Sequence, residues 1–148
     1  RKFAGQSNIR ILVIGDTTFK FNGFDCVTIP WQSATEVKDL QKIDIGLYPL
    51  PDEQWVYGKS GGKALQYMAL GIPTIATGIG TNFRITDDGE SGFLVRTEEQ
   101  WIEKIEYLIN HPEERKRIGM NGRKKVEKEY SLHVNKKYYL DIFEKVVG

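Results

Sequence analysis

The sequence predicts an α/β fold in which an open, doubly wound parallel sheet carries helices on both faces. Short apolar runs recur along the chain without alternating apolar and polar residues, as expected of strands buried on both faces. Segments with helical periodicity lie between these runs, and such an alternation of strands and helices favours a parallel sheet. The 148 residues suffice for one compact domain with a core of its own.

The first part of the chain supplies three of the strands. Ile9–Ile14 is an apolar, β-branched run that ends at a glycine, and Cys26–Ile29 is a second run that ends before a proline. Ser33–Glu36 has the spacing of a capping box and predicts a short helix to about Lys42. Ile43–Leu50 is the third apolar run and leads into a proline-rich turn.

The middle of the chain continues the alternation. The helix predicted over 60–70 carries three apolar side chains on one face and ends at a left-handed glycine cap: Leu65, Met68, Ala69 and Gly71. Ile72–Ala76 is the fourth strand, and Gly92–Val95 is a short fifth strand after an Asp-Gly turn. These elements complete the predicted sheet.

The last third, 97–148, is predicted to be mainly helical and to pack on the sheet within one domain spanning 1–148. Thr97–Gln100 forms a second capping box that opens a helix. A further helix follows, with an expected interruption near 119–122, where two glycines lie. Ser131 caps the final helix, whose apolar stripe consists of Val134, Tyr138, Ile142 and Val146.

Composition argues against several classes of protein. The 21 Lys+Arg and 20 Asp+Glu give a net charge of +1, which disfavours a dedicated nucleic-acid binder. The single cysteine, Cys26, excludes a disulfide within the chain and fits a reducing compartment. The apolar runs are far shorter than the roughly 20 residues that span a membrane, and the first residues lack the apolar stretch of a signal peptide. We therefore expect a cytoplasmic location.

The segment at the start of the helix predicted over 60–70 is the strongest candidate for a ligand site. In a parallel sheet, ligands bind beyond the carboxyl ends of the strands, where helix N-termini present N–H groups. Adjacent glycines leave these groups unobstructed and lysines add positive charge, so the pattern suits a phosphate or pyrophosphate. The candidate ligands are Lys59, Ser60, Gly61, Gly62 and Lys63. The alternative is an ordinary helix start that Ser60 caps, with solvated lysines.

Two better-known phosphate motifs do not fit. Gly58–Ser60 resembles the end of a P-loop, but the first glycine of that motif falls at Glu53, and Trp55 and Tyr57 crowd the loop. A dinucleotide-binding fingerprint fails as well, because Gly15 is not followed by further glycines in register. Neither a P-loop nucleoside triphosphatase nor a dinucleotide-binding enzyme is therefore indicated.

Four segments carry a likeness to a known family. They are Asp44–Pro49 (D-I-G-L-Y-P), Lys63–Ala76 (K-A-L-Q-Y-M-A-L-G-I-P-T-I-A), Asp87–Val95 (D-D-G-E-S-G-F-L-V) and Glu129–Ser131. In this order they resemble the donor-binding domain of retaining GT-B glycosyltransferases of group 1. The resemblance implies a Rossmann-like domain, the C-terminal half of a GT-B fold. It also implies that this domain binds a nucleotide-sugar donor for glycosyl transfer to a polysaccharide or glycolipid acceptor.

The resemblance assigns roles to individual positions. The family's glutamate for the nucleotide ribose falls at Gln66, which can still accept and donate hydrogen bonds. The glutamate for the donor sugar falls at Gly58, and Lys63 is expected to supplement phosphate binding. Four residues after the first and fourth strands are candidates for the donor cleft: Gly15, Asp16, Gly78 and Gly80. Asp16 also fits a simple turn cap, and no catalytic residue is identified.

The resemblance also implies partners and missing parts. The family's domain opens with an extra strand, an arginine and a lysine for the donor phosphates, and a helix, and a separate N-terminal domain holds the acceptor. This chain shows no counterpart of them, so we expect a truncated domain that is inactive alone. A saccharide or lipid-linked saccharide is the expected acceptor. No metal or other cofactor is expected, and neither His111 nor His133 has a second ligand at suitable spacing.

Two alternative functions, an epimerase and a partner-binding module, stay open, and so does contact with a membrane. A nucleotide-sugar epimerase of GT-B shape would need carboxylates or histidines facing the cleft. A flavodoxin-like or receiver-type module, which binds a partner protein, would need clustered acids after the first strand, where only Asp16 is present. The basic stretches Arg115–Arg117 and Arg123–Lys125 fit a solvated helix face or peripheral contact with anionic lipids.

Overall fold

The computed structural model describes residues 2–6 and 8–147, and each of its strands pairs in parallel. Strand β1 (Arg10–Ile14) pairs with β2 (Asp25–Ile29) in a two-stranded sheet. Strands β3 (Gly46–Tyr48), β4 (Thr74–Thr77) and β5 (Phe93–Val95) form a three-stranded sheet in that order. The predicted α/β class with parallel strands is thereby confirmed.

The chain divides into an N-terminal unit, Arg1–Ile43, and a C-terminal unit, Asp44–Gly148. The N-terminal unit contains β1, β2 and the helix α1 (Glu36–Leu40). Its strand β1 is half-buried over 11–14 rather than buried on both faces. The single domain predicted over 1–148 stays a prediction, and the two units are described separately below.

Helix α1 begins without the predicted capping box. The residue at its N-cap is Thr35, whose side chain makes no capping hydrogen bond. The Glu36 carboxylate accepts a hydrogen bond from the indole N–H of Trp31 at 2.9 Å. The pattern at 33–36 thus predicted the helix correctly but not its cap, because the N-cap is Thr35, two residues after the serine of the expected box.

Strand β3 is shorter than the apolar run from which it was predicted. At one end of the run, the Ile43 N–H bonds to the Leu40 carbonyl in the turn after α1. At the other end, the Leu50 N–H bonds to the Thr77 hydroxyl at 2.8 Å. Only Gly46–Tyr48 pairs with β4. The Ile43 N–H bonds within the turn, and the Leu50 N–H bonds to the side chain of Thr77 in β4 rather than to its backbone.

Short helices follow β3 and β4. After β3 come a 3-10 helix (Gln54–Gly58), in a segment where the sequence predicted none, and α2 (Gly62–Ala69); after β4 comes α3 (Asn82–Ile85). Helix α2 starts and ends inside the predicted 60–70. Gly71 adopts φ 72° as predicted for the left-handed cap. On the face of α2, Ala64 and Met68 are buried, whereas Ala69 is exposed.

The C-terminal third is helical, as predicted: α4 (Glu98–Asn110), α5 (Pro112–Glu129) and α6 (Leu132–Val147). The capping box at Thr97 is present with both of its hydrogen bonds. The Ser131 hydroxyl accepts from the Val134 N–H at 3.4 Å, as expected of a cap. The apolar stripe of α6 is not buried. Its four residues are 40% to 78% exposed.

Helix α5 runs through 119–122 without the expected interruption. Gly119 and Gly122 are buried there, and they allow a close approach to neighbouring backbone. A Cβ at Gly119 would overlap with the Gly71 carbonyl oxygen, and one at Gly122 would lie 2.9 Å from the Ser91 carbonyl oxygen. The two glycines therefore serve packing, and they do not end the helix.

The core of the C-terminal unit consists of two clusters around the three-stranded sheet. The first joins β4 and β5 to α4 and α5 through buried apolar side chains: Ile75, Phe93, Val95, Leu108 and Ile118. The second joins α2 to α3 and includes Ala64, Met68 and Ile85. Burial of these side chains fixes the helices against the sheet, each large one contributing about 1.5–3 kcal/mol. Along the described part of the chain, no helix is long and apolar enough to cross a membrane.

Candidate functional site

The loops that follow β3, β4 and β5 lie at one edge of the three-stranded sheet, because the strands are parallel. We call this edge, formed by residues 49–62, 78–82 and 96, the carboxyl edge. Its first two loops are joined at their roots by Thr77, whose hydroxyl donates to the Leu50 carbonyl at 3.1 Å and accepts the Leu50 N–H at 2.8 Å. Ligands of open α/β sheets bind at such an edge.

The start of α2 is built on a glycine in the left-handed region. Gly61 is the N-cap, with φ 72° and ψ 18°, and no side chain caps the helix. A Cβ at Gly61 would overlap with Cδ1 of Ile85, so both backbone and space require glycine here. The first hydrogen bond of the helix runs from Leu65 N–H to the Gly61 carbonyl. Helix geometry leaves the preceding N–H groups without acceptors inside the helix, which is the arrangement that binds anions.

Ser60 is not the cap of this helix, contrary to the alternative interpretation of the sequence. Gly62 is exposed, and a Cβ there would meet only the Ser60 hydroxyl, at 3.7 Å. The amide groups at the start of α2 are therefore presented by small residues.

Two lysines flank the start of α2. The Lys59 ammonium lies 4.8 Å from the centre of the Trp55 ring. The Lys63 ammonium donates to Oε1 of Gln66 at 2.9 Å. The structure thus places two of the predicted phosphate ligands on the segment that opens the helix, and it pairs Lys63 with the predicted ribose ligand.

The loop after β4 contacts the segment before α2. The Thr81 hydroxyl donates to the Lys59 carbonyl at 2.6 Å. Gly80, at φ 52°, lies against the backbone of Tyr57, and a Cβ on it would be 3.3 Å from the Tyr57 carbonyl oxygen. The Gly78 N–H donates to the Val95 carbonyl at 2.9 Å, which fixes the start of this loop. Gly78 and Gly80 therefore belong to the same edge as Lys59–Lys63, as predicted from their position after the strand.

A buried asparagine that the sequence analysis did not single out faces the start of α2. Asn82 is 1% exposed, and its Nδ2 donates to the Thr77 carbonyl at 2.9 Å. Its Oδ1 has no hydrogen-bond partner among the described residues and lies 3.3 Å from the position of a Cβ on Gly61. An asparagine after a strand carries no pattern of its own, so only the structure reveals it.

A polar network spans the ends of β3 and β5. The Tyr57 hydroxyl donates to Oδ1 of Asp52 at 2.9 Å, and this carboxylate raises the pKa of Tyr57. The Arg96 guanidinium lies 3.8 Å from the other carboxylate oxygen of Asp52. These contacts link the 3-10 helix of the carboxyl edge, through Asp52, to the end of β5.

Gly15 and Asp16, the other two candidates for the donor cleft, belong to the N-terminal unit. Oδ1 of Asp16 accepts hydrogen bonds from the N–H and the hydroxyl of Thr18, at 2.8 and 2.7 Å, and these bonds lower the pKa of Asp16. This geometry is that of a turn stabilised by its own aspartate. A role of Gly15 and Asp16 in a cleft stays a prediction.

Much of the basic charge of α5 has partners within the C-terminal unit. Arg115 donates to the Leu108 and Ile109 carbonyls at the end of α4. Arg117 pairs with Glu114 and Glu90, at 2.9 and 3.0 Å. These contacts favour a structural role for the basic stretches, and membrane contact stays a prediction. Across residues 2–6 and 8–147, no group of three or more His, Cys, Asp or Glu side chains is placed to hold a metal ion.

Comparison with known proteins finds relatives of this chain. Residues 25–125 match the family model described as "Glycosyl transferases group 1". A trehalose synthase of Pyrococcus horikoshii is 38% identical over 89 residues, which are 60% of this chain and 21% of that protein. The capsular polysaccharide biosynthesis glycosyltransferase CapM of Staphylococcus aureus is 37% identical over 76 residues, 50% of this chain and 20% of that protein. The matched segment thus spans about a fifth of each relative.

Solved structures agree with the fold. The C-terminal domain of LpcC, a glycosyl transferase group 1 family protein of Francisella tularensis, superposes with a TM-score of 0.61 at 27% identity, over 73% of this chain and 55% of that one. Anabaena HepE in complex with UDP-glucose superposes with a TM-score of 0.59 at 14% identity, over 83% of this chain and 33% of that one. The second likeness concerns the fold alone.

Proposed function

Because the chain belongs to the glycosyl transferases group 1 family, we propose that its carboxyl edge binds the diphosphate of a nucleotide-sugar donor. The observation that carries this proposal is the start of α2. There a left-handed glycine N-cap, an exposed glycine and two lysines surround N–H groups that helix geometry directs at an anion. The family membership favours a sugar nucleotide over a free phosphate as that anion.

In this proposal the start of α2 stabilises the group that leaves in glycosyl transfer. When the bond between sugar and diphosphate breaks, negative charge grows on the diphosphate oxygen. The amides near Gly62 and the ammonium groups of Lys59 and Lys63 are oriented before the reaction, so they stabilise this charge without reorganising. Gln66, which already bonds to Lys63, would hold the ribose hydroxyls next to the phosphates.

A solved structure of the same fold also supports a nucleotide sugar as the donor. HepE, which shares the fold, has been crystallised with UDP-glucose. The loop after β4, with Gly78 and Gly80, lies beside the proposed phosphate site and would face the donor through its backbone. Asn82 Oδ1 is buried, has no partner in the part of the chain that the structure describes, and offers an acceptor near the same helix start.

The activity of the whole enzyme is also part of the proposal. We expect glycosyl transfer with retention at the anomeric carbon, to a saccharide or lipid-linked saccharide held by a further domain. The likeness to the polysaccharide enzyme CapM supports such an acceptor. We propose a cytoplasmic enzyme with peripheral membrane contact, in which helix dipole and lysines take the place of a divalent cation. The family match and the named relatives favour neither the epimerase nor the partner-binding module.

The proposal is tested by binding of UDP, GDP, ADP and CDP to the chain, measured by isothermal titration calorimetry. We expect one nucleobase to be preferred. Lys63→Ala should weaken the preferred diphosphate about tenfold, the usual effect of losing one charge-assisted hydrogen bond. The matched control is Lys116→Ala. Lys116 is an exposed lysine on α5. Gly119 of the same helix packs against Gly71, which follows the C-terminal end of α2, so α5 contacts the end of α2 opposite to the proposed site.

The control separates a local site from a general attraction of anions to a basic surface. Equal losses in Lys63→Ala and Lys116→Ala would contradict the proposed site, as would the absence of binding by all four diphosphates. A loss confined to Lys63→Ala would support it.

A further inference from the structure

Two large aromatic side chains are exposed next to the proposed phosphate site. Trp55 and Tyr57 lie in the 3-10 helix of the carboxyl edge and are 57% and 52% exposed. Val56, between them, is 1% exposed and anchors this helix in the protein. Exposed aromatic surface beside a ligand site is a common feature of binding surfaces.

Both rings are held in position although they are exposed. The Trp55 indole N–H donates to the Glu53 carboxylate, and the Lys59 ammonium lies 4.8 Å from the centre of the ring. The Tyr57 hydroxyl donates to Asp52. Their polar atoms are thus engaged by neighbours, and the Lys59 ammonium lies over one face of the Trp55 ring, while about half of each residue faces solvent. A surface that is oriented before a ligand arrives loses less entropy when the ligand binds.

The backbone that carries the rings is fixed as well. The Lys59 carbonyl accepts from Thr81, and Tyr57 lies against Gly80. Gly58, which follows the two aromatic residues, has no atom within 4 Å of the position that a Cβ would take. The position of a Cβ on Gly58 is therefore open, and Gly58 lies in the chain between the two aromatic residues and the N-cap of α2. We call this opening the space at Gly58.

In a nucleotide sugar the sugar ring is bonded directly to the diphosphate. Only Lys59 and Ser60 separate Gly58 from the N-cap of α2, so a ring attached to a diphosphate at that helix start is within reach of this space. One face of a pyranose carries C–H groups with partial positive charge, which complement the negative face of an aromatic ring. The hydroxyl groups at its rim would meet polar partners at Asp52, Glu53 and Lys59.

We propose that Trp55, with Tyr57, is the stacking surface for the pyranose ring of the donor and thereby determines which sugar is accepted. This proposal rests on the donor site proposed above, because the pyranose belongs to the nucleotide sugar bound there. The stacking itself needs no nucleotide, so it can be tested with simple sugars.

The test uses the chain labelled with 5-fluorotryptophan, which gives one fluorine resonance for each of its three tryptophans. The resonances are assigned with single Trp→Phe variants, and the chain is titrated with the methyl pyranosides of glucose, galactose, mannose and N-acetylglucosamine. We expect a saturable shift of the Trp55 resonance with one or more of them. Tyr57→Leu should weaken that affinity about fivefold.

Trp31 is the internal control, because it is 53% exposed and its indole N–H also bonds to a glutamate. No shift of the Trp55 resonance with any pyranoside, or an equal shift of the Trp31 resonance, would overturn the proposal. Nucleoside diphosphates are titrated in parallel. A response to diphosphates without a response to pyranosides would leave the donor site standing and refute the stacking surface. The reverse result would refute the donor site alone.

Discussion

Glycines concentrate in two regions of the C-terminal unit, and the structure uses them in opposite ways. In α5, Gly119 and Gly122 are buried, and any side chain there would collide with backbone of Gly71 or Ser91. At the carboxyl edge, Gly58 has nothing within 4 Å of a Cβ position, and Gly62 has one hydroxyl at 3.7 Å. Gly119 and Gly122 allow close packing of backbone against backbone, whereas Gly58 and Gly62 adjoin space that no other described part of the protein occupies.

This difference separates packing from function. Room that is kept open beside lysines and helix amides is available to a ligand, whereas close approach of two backbones contributes only to stability. Gly61 lies between the two cases, because it combines a left-handed backbone with contact to Ile85 and opens the proposed phosphate site. Substitutions at these glycines therefore test the distinction directly.

The largest effect is expected for Gly119→Ala. In the interior of an exposed helix, alanine in place of glycine stabilises by about 1 kcal/mol. Here the added methyl group overlaps with the Gly71 carbonyl oxygen, so we expect the free energy of unfolding to fall by about 3 kcal/mol. Urea denaturation measures it, with Gly58→Ala as the control that should change by less than about 0.5 kcal/mol. A stabilised Gly119→Ala variant would refute the close contact between α5 and the backbone of Gly71.

Gly61→Ala is expected to have the next largest effect, a loss of about 2 kcal/mol in the free energy of unfolding. The left-handed backbone and the overlap with Cδ1 of Ile85 both contribute. Ile85→Val removes that Cδ1 atom, so the double variant should be destabilised by less than the sum of the two single variants. If urea denaturation shows that the losses of the two single variants simply add in the double variant, the added methyl group at residue 61 does not overlap with Ile85.

Gly62→Ala should separate function from stability. We expect the free energy of unfolding to change by less than about 0.5 kcal/mol, because the site is exposed and open. The affinity for the preferred nucleoside diphosphate should fall about fivefold, because the methyl group occupies room at the helix start. Calorimetric titration measures the affinity. An unchanged affinity would mean that the open room at Gly62 does not receive the ligand.

The smallest effect is expected for the ion pair between Glu114 and Arg117, both of which lie in α5. Hydrogen bonding to Arg117 lowers the pKa of Glu114 below its usual value. The pair therefore stabilises the fold above the ordinary glutamate pKa of about 4.5, and this contribution is lost as the pH falls through the lower pKa of the folded state. Glu114→Gln should lose less thermal stability than the wild type between about pH 6 and pH 3. Equal losses would show that the pair contributes nothing.

The sequence was informative where local chemistry alone decides the structure. The capping box at Thr97 formed because its threonine has the extended backbone that a cap needs, φ −108° and ψ 159°. The same pattern at 33–36 predicted the helix but not its cap, because the N-cap is Thr35, whose backbone is helical at φ −115° and ψ −6°. The residue at which a helix starts cannot be deduced from spacing alone.

Features of the site that depend on tertiary contacts were out of reach of the sequence. The pattern around Lys59–Lys63 indicated the helix start, since glycines and lysines before an apolar helix have a local meaning. Asn82 became visible only when folding brought it to Gly61. Trp55 and Tyr57 entered the sequence analysis only as an obstacle to a P-loop, although the structure exposes both beside the proposed phosphate site.

The central claim is that the open region at the start of α2 holds the donor diphosphate. The most direct test is to map the backbone amide shifts of the isotope-labelled chain during titration with UDP, GDP, ADP and CDP. The account predicts shifts centred on Gly61–Gln66 for one preferred base, with Gly119 and Gly122 unaffected. Shifts centred on another surface, or none with any of the four diphosphates, would contradict it.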